Sequence, residues 1–210
     1  MNLYEVPIDE ISKMADVSAE AFIDSNDPIG NFIFQHEPEY LRLKRRFFRS
    51  LVTTCPPAAL RIGMTSDLAA ITIWFPPGMD HSGEVDPDPF LESDFQHPET
   101  MEKLIRVGMV IKAVTESLGH DPQWYLHLVA VSPKFMGHRY SSLLVEPVLM
   151  RADKERMPCT LITQRLDNVR KYEHWNFKVV TEVPIPGSGE KFYSMRREFQ
   201  KNSGLPESRI

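Results

Sequence analysis

The chain has 210 residues, 42% hydrophobic and 25% charged, with a formal net charge of -5. That length buries a sizeable core in one domain, and the acidic balance argues against a chain built to coat nucleic acid. Cys55 and Cys159 are its two cysteines, too few for a disulfide framework or a paired-thiol metal pattern.

No apolar run approaches the roughly 18 residues of a membrane span, and the opening MNLYEVPIDEISKM lacks the basic and apolar parts of a signal peptide. The expectation is a soluble, cytoplasmic protein with one domain over residues 1–199 and a polar, frayed tail over 200–210. The seven histidines His36, His81, His97, His120, His127, His138 and His174 are scattered, without the spacing or cysteine partners of a zinc site, so no metal is expected.

In chain order, LYEVPIDEISKMADVSAEAFI reads as a short strand and then a helix opening near Pro7 and Asp9, with Ile11, Met14, Ala15 and Phe22 on its apolar face and the small Ser18 between them. NDPIGNFIFQHEPEY interrupts the pattern with Pro28, Gly30 and Pro38. LRLKRRFFRSLVTT resumes helical spacing. Its basic residues Arg42, Lys44, Arg45, Arg46 and Arg49 read as a solvated face rather than a nucleic-acid patch.

AAITIWFPPG is a strand stopped by Pro76, Pro77 and Gly78, and a long loop rich in Pro and Asp follows. MEKLIRVGMVIKAVTESLG returns to a helix with Leu104, Val107, Ile111 and Val114 on one stripe. QWYLHLVAVSP is a strand that feeds the loop KFMGHRY, and YSSLLVEPVLMRADKER is a helix with Pro147 inside it, where a bend or a late start is expected. A strand CTLITQ, a short helix DNVRKYEHW capped by Asp167 or Asn168, and a hairpin turning at Gly187 to Gly189 complete the α+β pattern.

Strand, tight loop, helix is the layout in which backbone N–H groups at a helix N-terminus hold a phosphate. If the strand is regular, Tyr125, His127, Val129 and Val131 share one face.

Taken in order, AAITIWFPPG, WYLHLVAVSP, MGHRYSSLLVEPVL with RAD, NVRKYEHWNFKVV and the closing MRRE resemble the GNAT superfamily of acyl-CoA-dependent N-acetyltransferases, in the branch like puromycin N-acetyltransferase. The resemblance implies a mixed central sheet splayed in its middle, with helices on both faces and the pantetheine arm of acetyl-CoA in the split. It implies acetyl-CoA as co-substrate and a small-molecule amine as acceptor, and leaves monomer or homodimer open.

On the same resemblance the cofactor-binding residues are Val129, Ala130 and Val131 on the strand, Met136, Gly137, His138, Arg139, Tyr140, Ser141 and Ser142 in the loop and first helical turn, and Asn168. Tyr172 matches the family's general acid beside the CoA sulfur, and His127 stands near where a base is often kept, with Glu173, Glu182 and carboxylates of the 80–99 loop as competitors. Asp27, Phe32, Trp74 and Tyr125 are expected at the acceptor, and the acidic Glu84, Asp86, Asp88, Glu92 and Asp94 either attract a cationic amine or solvate a loop.

The family's loop has Gln or Arg, two residues, Gly, one residue, then Gly or Ala, where this chain has Met136, Arg139 and Ser141. Two readings follow. In one, Arg139 replaces glycine contacts with charge-assisted ones. In the other, the fold persists with weakened or altered CoA use, as a ligand-binding protein or an enzyme of another reaction class. The family's Gly-Phe after the tyrosine helix is Asn176-Phe177 here, and asparagine tolerates the left-handed backbone that glycine would supply.

Overall fold

The computed structural model describes residues 2–23, 27–64, 68–79 and 90–201. The first part of the chain forms β1 (Leu3–Glu5), α1 (Ile11–Ile23), α2 (Pro28–Phe34), α3 (Tyr40–Thr53), β2 (Leu60–Met64) and β3 (Ala70–Phe75). After these come α4 (Pro98–Glu116), β4 (Trp124–Val131), α5 (Tyr140–Glu155), β5 (Cys159–Thr163), α6 (Leu166–Glu173) and the hairpin β6 (Lys178–Pro184) and β7 (Lys191–Arg197).

The strands form one open, mixed sheet in the order β1-β2-β3-β4-β5-β7-β6. Among the described strands only β4 and β5 run parallel, joined by the α5 crossover that a parallel pair requires. The fold class is the expected α+β.

Helices cover both faces. Met14 and Ala15 of α1 pack against Ile71, Ile73 and Phe75 of β3 and Leu128 and Ala130 of β4. Val145, Val148 and Leu149 of α5 pack on the opposite face against Trp74, Trp124 and Leu126. Each large side chain buried this way contributes about 1.5–3 kcal/mol. Ser18 is small enough for α1 to approach α3, and its hydroxyl donates to the Phe48 carbonyl at 3.0 Å.

Two elements were not visible as periodicity. The stretch read as an interruption is α2, started by Pro28 in its first turn and capped by Asp27, whose carboxylate accepts from the Gly30 N–H at 2.5 Å. The short β2 holds β1 onto the sheet through Leu3↔Met64 to Glu5↔Ile62. Three expectations change. Lys44 is not on a solvated face: it is 1% exposed and its ammonium donates to the Ile23 carbonyl and Asn31 Oδ1 at 3.1 and 3.2 Å. Arg165, rather than Asp167 or Asn168, is the N-cap of α6. There is no late start in α5, which begins at Tyr140 well upstream of Pro147.

Glu37 ties the end of the long loop to α2. Its carboxylate accepts from the N–H groups of Gln96 (3.0 Å) and His97 (3.1 Å) and the Thr100 hydroxyl (2.6 Å), satisfying donors at the start of α4.

Candidate active site

The sheet parts in its middle. Only Trp124↔Cys159, Tyr125↔Thr160 and Leu126↔Leu161 join β4 to β5, whereas β4 stays paired with β3 as far as Val131. From His127 onward the β5-facing edge of β4 is open, which leaves backbone donors and acceptors for a strand-like ligand.

The bend has a local cause. Across β3 the register steps from Ile73↔Leu128 to Trp74↔Leu126, so His127 is the extra residue of a β-bulge. The bulge overturns the expectation of a shared face. Tyr125 lies with Leu128 and Ala130 on the α1 side, while Val129 packs with the α5-side core and Val131 beside Tyr140 and Leu144.

A cleft of about 470 Å³ opens at the split, with Val129, Ala130 and Val131 on one wall and Ile162, Thr163 and Gln164 at the end of β5 on the other. Its far end is the loop before α5. Gly137 there has φ +84° and Arg139 has φ +58°, so the arginine stands in the left-handed conformation that glycine adopts easily. The change from the family pattern therefore preserves a glycine-like backbone at position 139, and helix α5 starts directly after it.

Met136, Gly137, Arg139, Tyr140 and Ser141 line the cleft; His138 and Ser142 do not. The His138 Nδ1–H instead donates to the carbonyls of Phe135 and Met136, which folds the loop on itself. N–H groups in the first turn of α5 have no intrahelical acceptor and carry the positive end of the helix dipole. Arg139, Arg165 and Lys171 add three cations to the lining.

His127 and Tyr172 both line the cleft. The His127 ring stacks on Phe75 at 4.8 Å, and its Nε2 lies 2.8 Å from the Leu51 carbonyl. A carbonyl can only accept, so Nε2 carries the hydrogen and Nδ1 of the neutral ring keeps its lone pair. Burial holds the imidazole below its ordinary pKa, against the raising effect of the Leu51 hydrogen bond.

Val169 of α6 is buried, and Tyr172, one turn on, faces the same way, with its ring 5.9 Å from those of Trp175 and Phe177. Burial pushes the Tyr172 phenol up to about 12, so it stays protonated at neutral pH. The Tyr125 phenol is raised by burial first and then by the nearby Tyr172. Asn176 closes the turn after α6 at φ +65°, the left-handed conformation expected of it. Asn168 lines the cleft and its amide lies 3.5 Å from the Thr163 hydroxyl.

At the other end stands Asp27, 2% exposed yet part of the lining. Besides capping α2, it accepts from Gln164 Nε2 at 2.9 Å, a contact across the mouth of the split. Burial raises its pKa beyond what the hydrogen bonds from Gly30 and Gln164 and the charges of Lys44 and Arg165 offset. Gln164, Arg165 and Lys171 were missed by the sequence reading; nothing in periodicity distinguishes them, although their position after β5 and on α6 marks the rim of the split.

Other candidates sit elsewhere. Trp74 is 0% exposed and packs edge-on against Trp124 at 6.5 Å, on the α5 side of the sheet and off the cleft. Tyr125 is buried in the α1-side core, and Phe32 lies 5.7 Å from the Lys103 ammonium; neither lines the cleft. Asp94 is paired with Arg46 at 3.0 Å and Glu182 with Lys191. His81, Glu84, Asp86 and Asp88, like residues 202–210 of the tail, lie outside the described residues. Among the described residues no group of three or more metal-ligating side chains converges, and no helix is long and apolar enough to cross a membrane.

No family model matches the chain. An N-acetyltransferase of Schizosaccharomyces pombe, itself uncharacterized, is 26% identical over 193 residues, covering 87% of this chain and 76% of its own. A Corynebacterium glutamicum structure described as a histone acetyltransferase and related acetyltransferase superposes with a TM-score of 0.64 at 19% identity, covering 96% of this chain and 98% of that one. The polyamine N-acetyltransferase of Drosophila melanogaster, which forms N-acetylagmatine, gives 0.62 at 13% identity, over 94% and 99% of the two chains. With a sheet parted between its one parallel pair and a loop turning into a helix at the split, the chain has the fold of the GNAT superfamily of N-acetyltransferases.

Proposed function

We propose that the protein transfers the acetyl group of acetyl-CoA to the amine of a small molecule. One observation carries the reading: the open edge of β4 runs into the left-handed loop and α5 N-terminus within the same cleft that holds His127 and Tyr172. An extended amide-bearing arm fits the parted strands, and an anionic pyrophosphate fits helix N–H groups beside Arg139, in a lining that also carries Arg165 and Lys171.

In this reading Val129, Ala130 and Val131 offer backbone groups to the pantetheine amides. The His127 Nδ1 takes the proton from the amine nitrogen as that nitrogen bonds to the thioester carbonyl carbon. As the carbon–sulfur bond breaks, the Tyr172 hydroxyl gives its proton to the departing thiolate. Burial raises the Tyr172 phenol to about 12 and lowers the His127 imidazole, so at neutral pH the first is held as a donor and the second as an acceptor. Its left-handed backbone lets Arg139 stand in the glycine position, which favours retained CoA use over a repurposed fold.

Among relatives of this fold, the Drosophila enzyme acts on a small amine, which supports a small acceptor. The puromycin-like branch rests on the motifs of the second half. The reading takes residues 1–199 as one catalytic domain working in the cytoplasm, where buried, unpaired Cys55 and Cys159 would remain thiols.

Calorimetric titration with acetyl-CoA, and separately with CoA, tests it. Micromolar binding with thiol release on adding amines supports transfer, whereas no binding at millimolar ligand removes it.

A further inference from the structure

Resting on the acetyl-transfer reading, the substrate class follows from the end of the cleft away from the α5 loop. That end combines one carboxylate with an apolar wall. Among the described residues that line the cleft, Asp27 is the only acid, and it is almost wholly buried. Phe22 and Phe48 stack at 4.6 Å and 16° beside it, continued by Ala21, Leu51 and Ile162.

We infer that the acceptor is a hydrophobic primary monoamine, its nitrogen held between the Asp27 carboxylate and the Gln164 carboxamide oxygen and its apolar body on the Phe22–Phe48 wall.

The donor inventory supports this arrangement. A carboxylate can only accept, so Gln164 turns its NH₂ to Asp27 at 2.9 Å and presents its oxygen as an acceptor. Asp27 uses two of about four lone-pair positions on Gly30 and Gln164, leaving capacity for a hydrogen of the neutral amine, whose lone pair stays free to attack. Burial raises the pKa of Asp27 against the hydrogen bonds from Gly30 and Gln164 and the charges of Lys44 and Arg165, so a further donor on its open lone pairs stabilises the ionised carboxylate.

Among the described residues of the lining, a further nitrogen, charged at neutral pH, finds no such partner. The remaining charged side chains on the described lining are Arg139, Arg165 and Lys171, all cations, so a polyamine would place its other nitrogens among like charges or against phenylalanine rings.

The test is calorimetric titration of the full chain, with and without CoA, using 2-phenylethylamine and spermidine as probes, on the native protein and on Asp27→Asn and Gln164→Met. Asparagine keeps an oxygen for the α2 cap while removing the charge, and Gln164→Met removes the amide at similar size. A tighter fit for 2-phenylethylamine than for spermidine, weakened roughly ten- to a hundredfold by Asp27→Asn and less by Gln164→Met, with acetyl-CoA affinity unchanged, supports the inference. Unchanged 2-phenylethylamine affinity in both variants, or tighter binding of spermidine, overturns it. Failure of the transferase reading is distinct: acetyl-CoA would not bind to any of these proteins, whatever the amine titration gives.

Discussion

Arg197 and Asp153 meet through two parallel hydrogen bonds, Nη1 to Oδ1 at 2.7 Å and Nη2 to Oδ2 at 2.8 Å, with both side chains 3% exposed. The same guanidinium donates through Nε to the Trp175 carbonyl at 2.9 Å, and Asp153 also accepts from the Gln200 N–H at 2.7 Å. One ion pair thus joins α5, β7 and the turn that follows Tyr172.

Removing one partner leaves a buried, uncompensated charge. Asp153→Ala is expected to cost about 3–5 kcal/mol, read as a lower urea midpoint at unchanged slope. Replacing both partners with apolar residues, Asp153→Leu with Arg197→Met, should recover much of that loss, because the desolvation of two charges disappears with them.

Tyr172→Phe keeps the ring between Trp175 and Phe177 and removes only the hydroxyl. We expect kcat for acetyl transfer to fall about a hundredfold, with the acetyl-CoA dissociation constant changing less than threefold by calorimetry. In the native enzyme the phenol imposes no alkaline limb below about 12. Unchanged turnover would remove Tyr172 from the mechanism.

If His127 is the base of the proposed transfer, it is expected to set the acid side of the pH profile. Burial lowers its pKa in the folded state, so activity should stay level from neutral pH past 6.5, the usual histidine value, and fall only below that. Stability follows the same sign. Below 6.5 the unfolded chain takes up the proton first, so the contribution of the neutral ring is present above that pH and lost as pH drops through the folded value. His127→Gln should lower kcat by about a hundredfold and abolish the acid limb; a limb that persists assigns it to another group.

Arg139→Gly separates backbone from charge. Glycine relieves the left-handed strain and should raise stability by about 1 kcal/mol, while losing a charged contact should weaken CoA binding about tenfold and flatten its salt dependence. Tighter CoA binding would mean that the arginine had obstructed the phosphate.

Much of this was legible in the sequence because it is repetitive. The apolar stripe of α1, the β-branched run of β3 and the strand-loop-helix at β4 and α5 each repeat one local choice over many residues. What was hidden depends on single residues. Gly30 looked like a breaker, yet a Cβ there would lie 2.7 Å from Asp27 Oδ2 and 3.1 Å from the Lys44 stem, so its smallness admits both buried groups.

A bulge has no periodic signature, and the one at His127 moved Val129 and Val131 to the face opposite Tyr125. Long-range pairing is equally silent: Gln164 reaches Asp27 across 137 positions, and nothing near either residue announces the other.

Helix α5 is bracketed by two arginines of matching backbone, Arg139 at φ +58° before it and Arg156 at φ +55° after it. Arg156 is exposed and away from the cleft. The second therefore serves as an internal reference for the first: an Arg156→Gly protein reports conformational relief alone, and subtracting its shift from that of Arg139→Gly leaves what the cleft itself asks of an arginine.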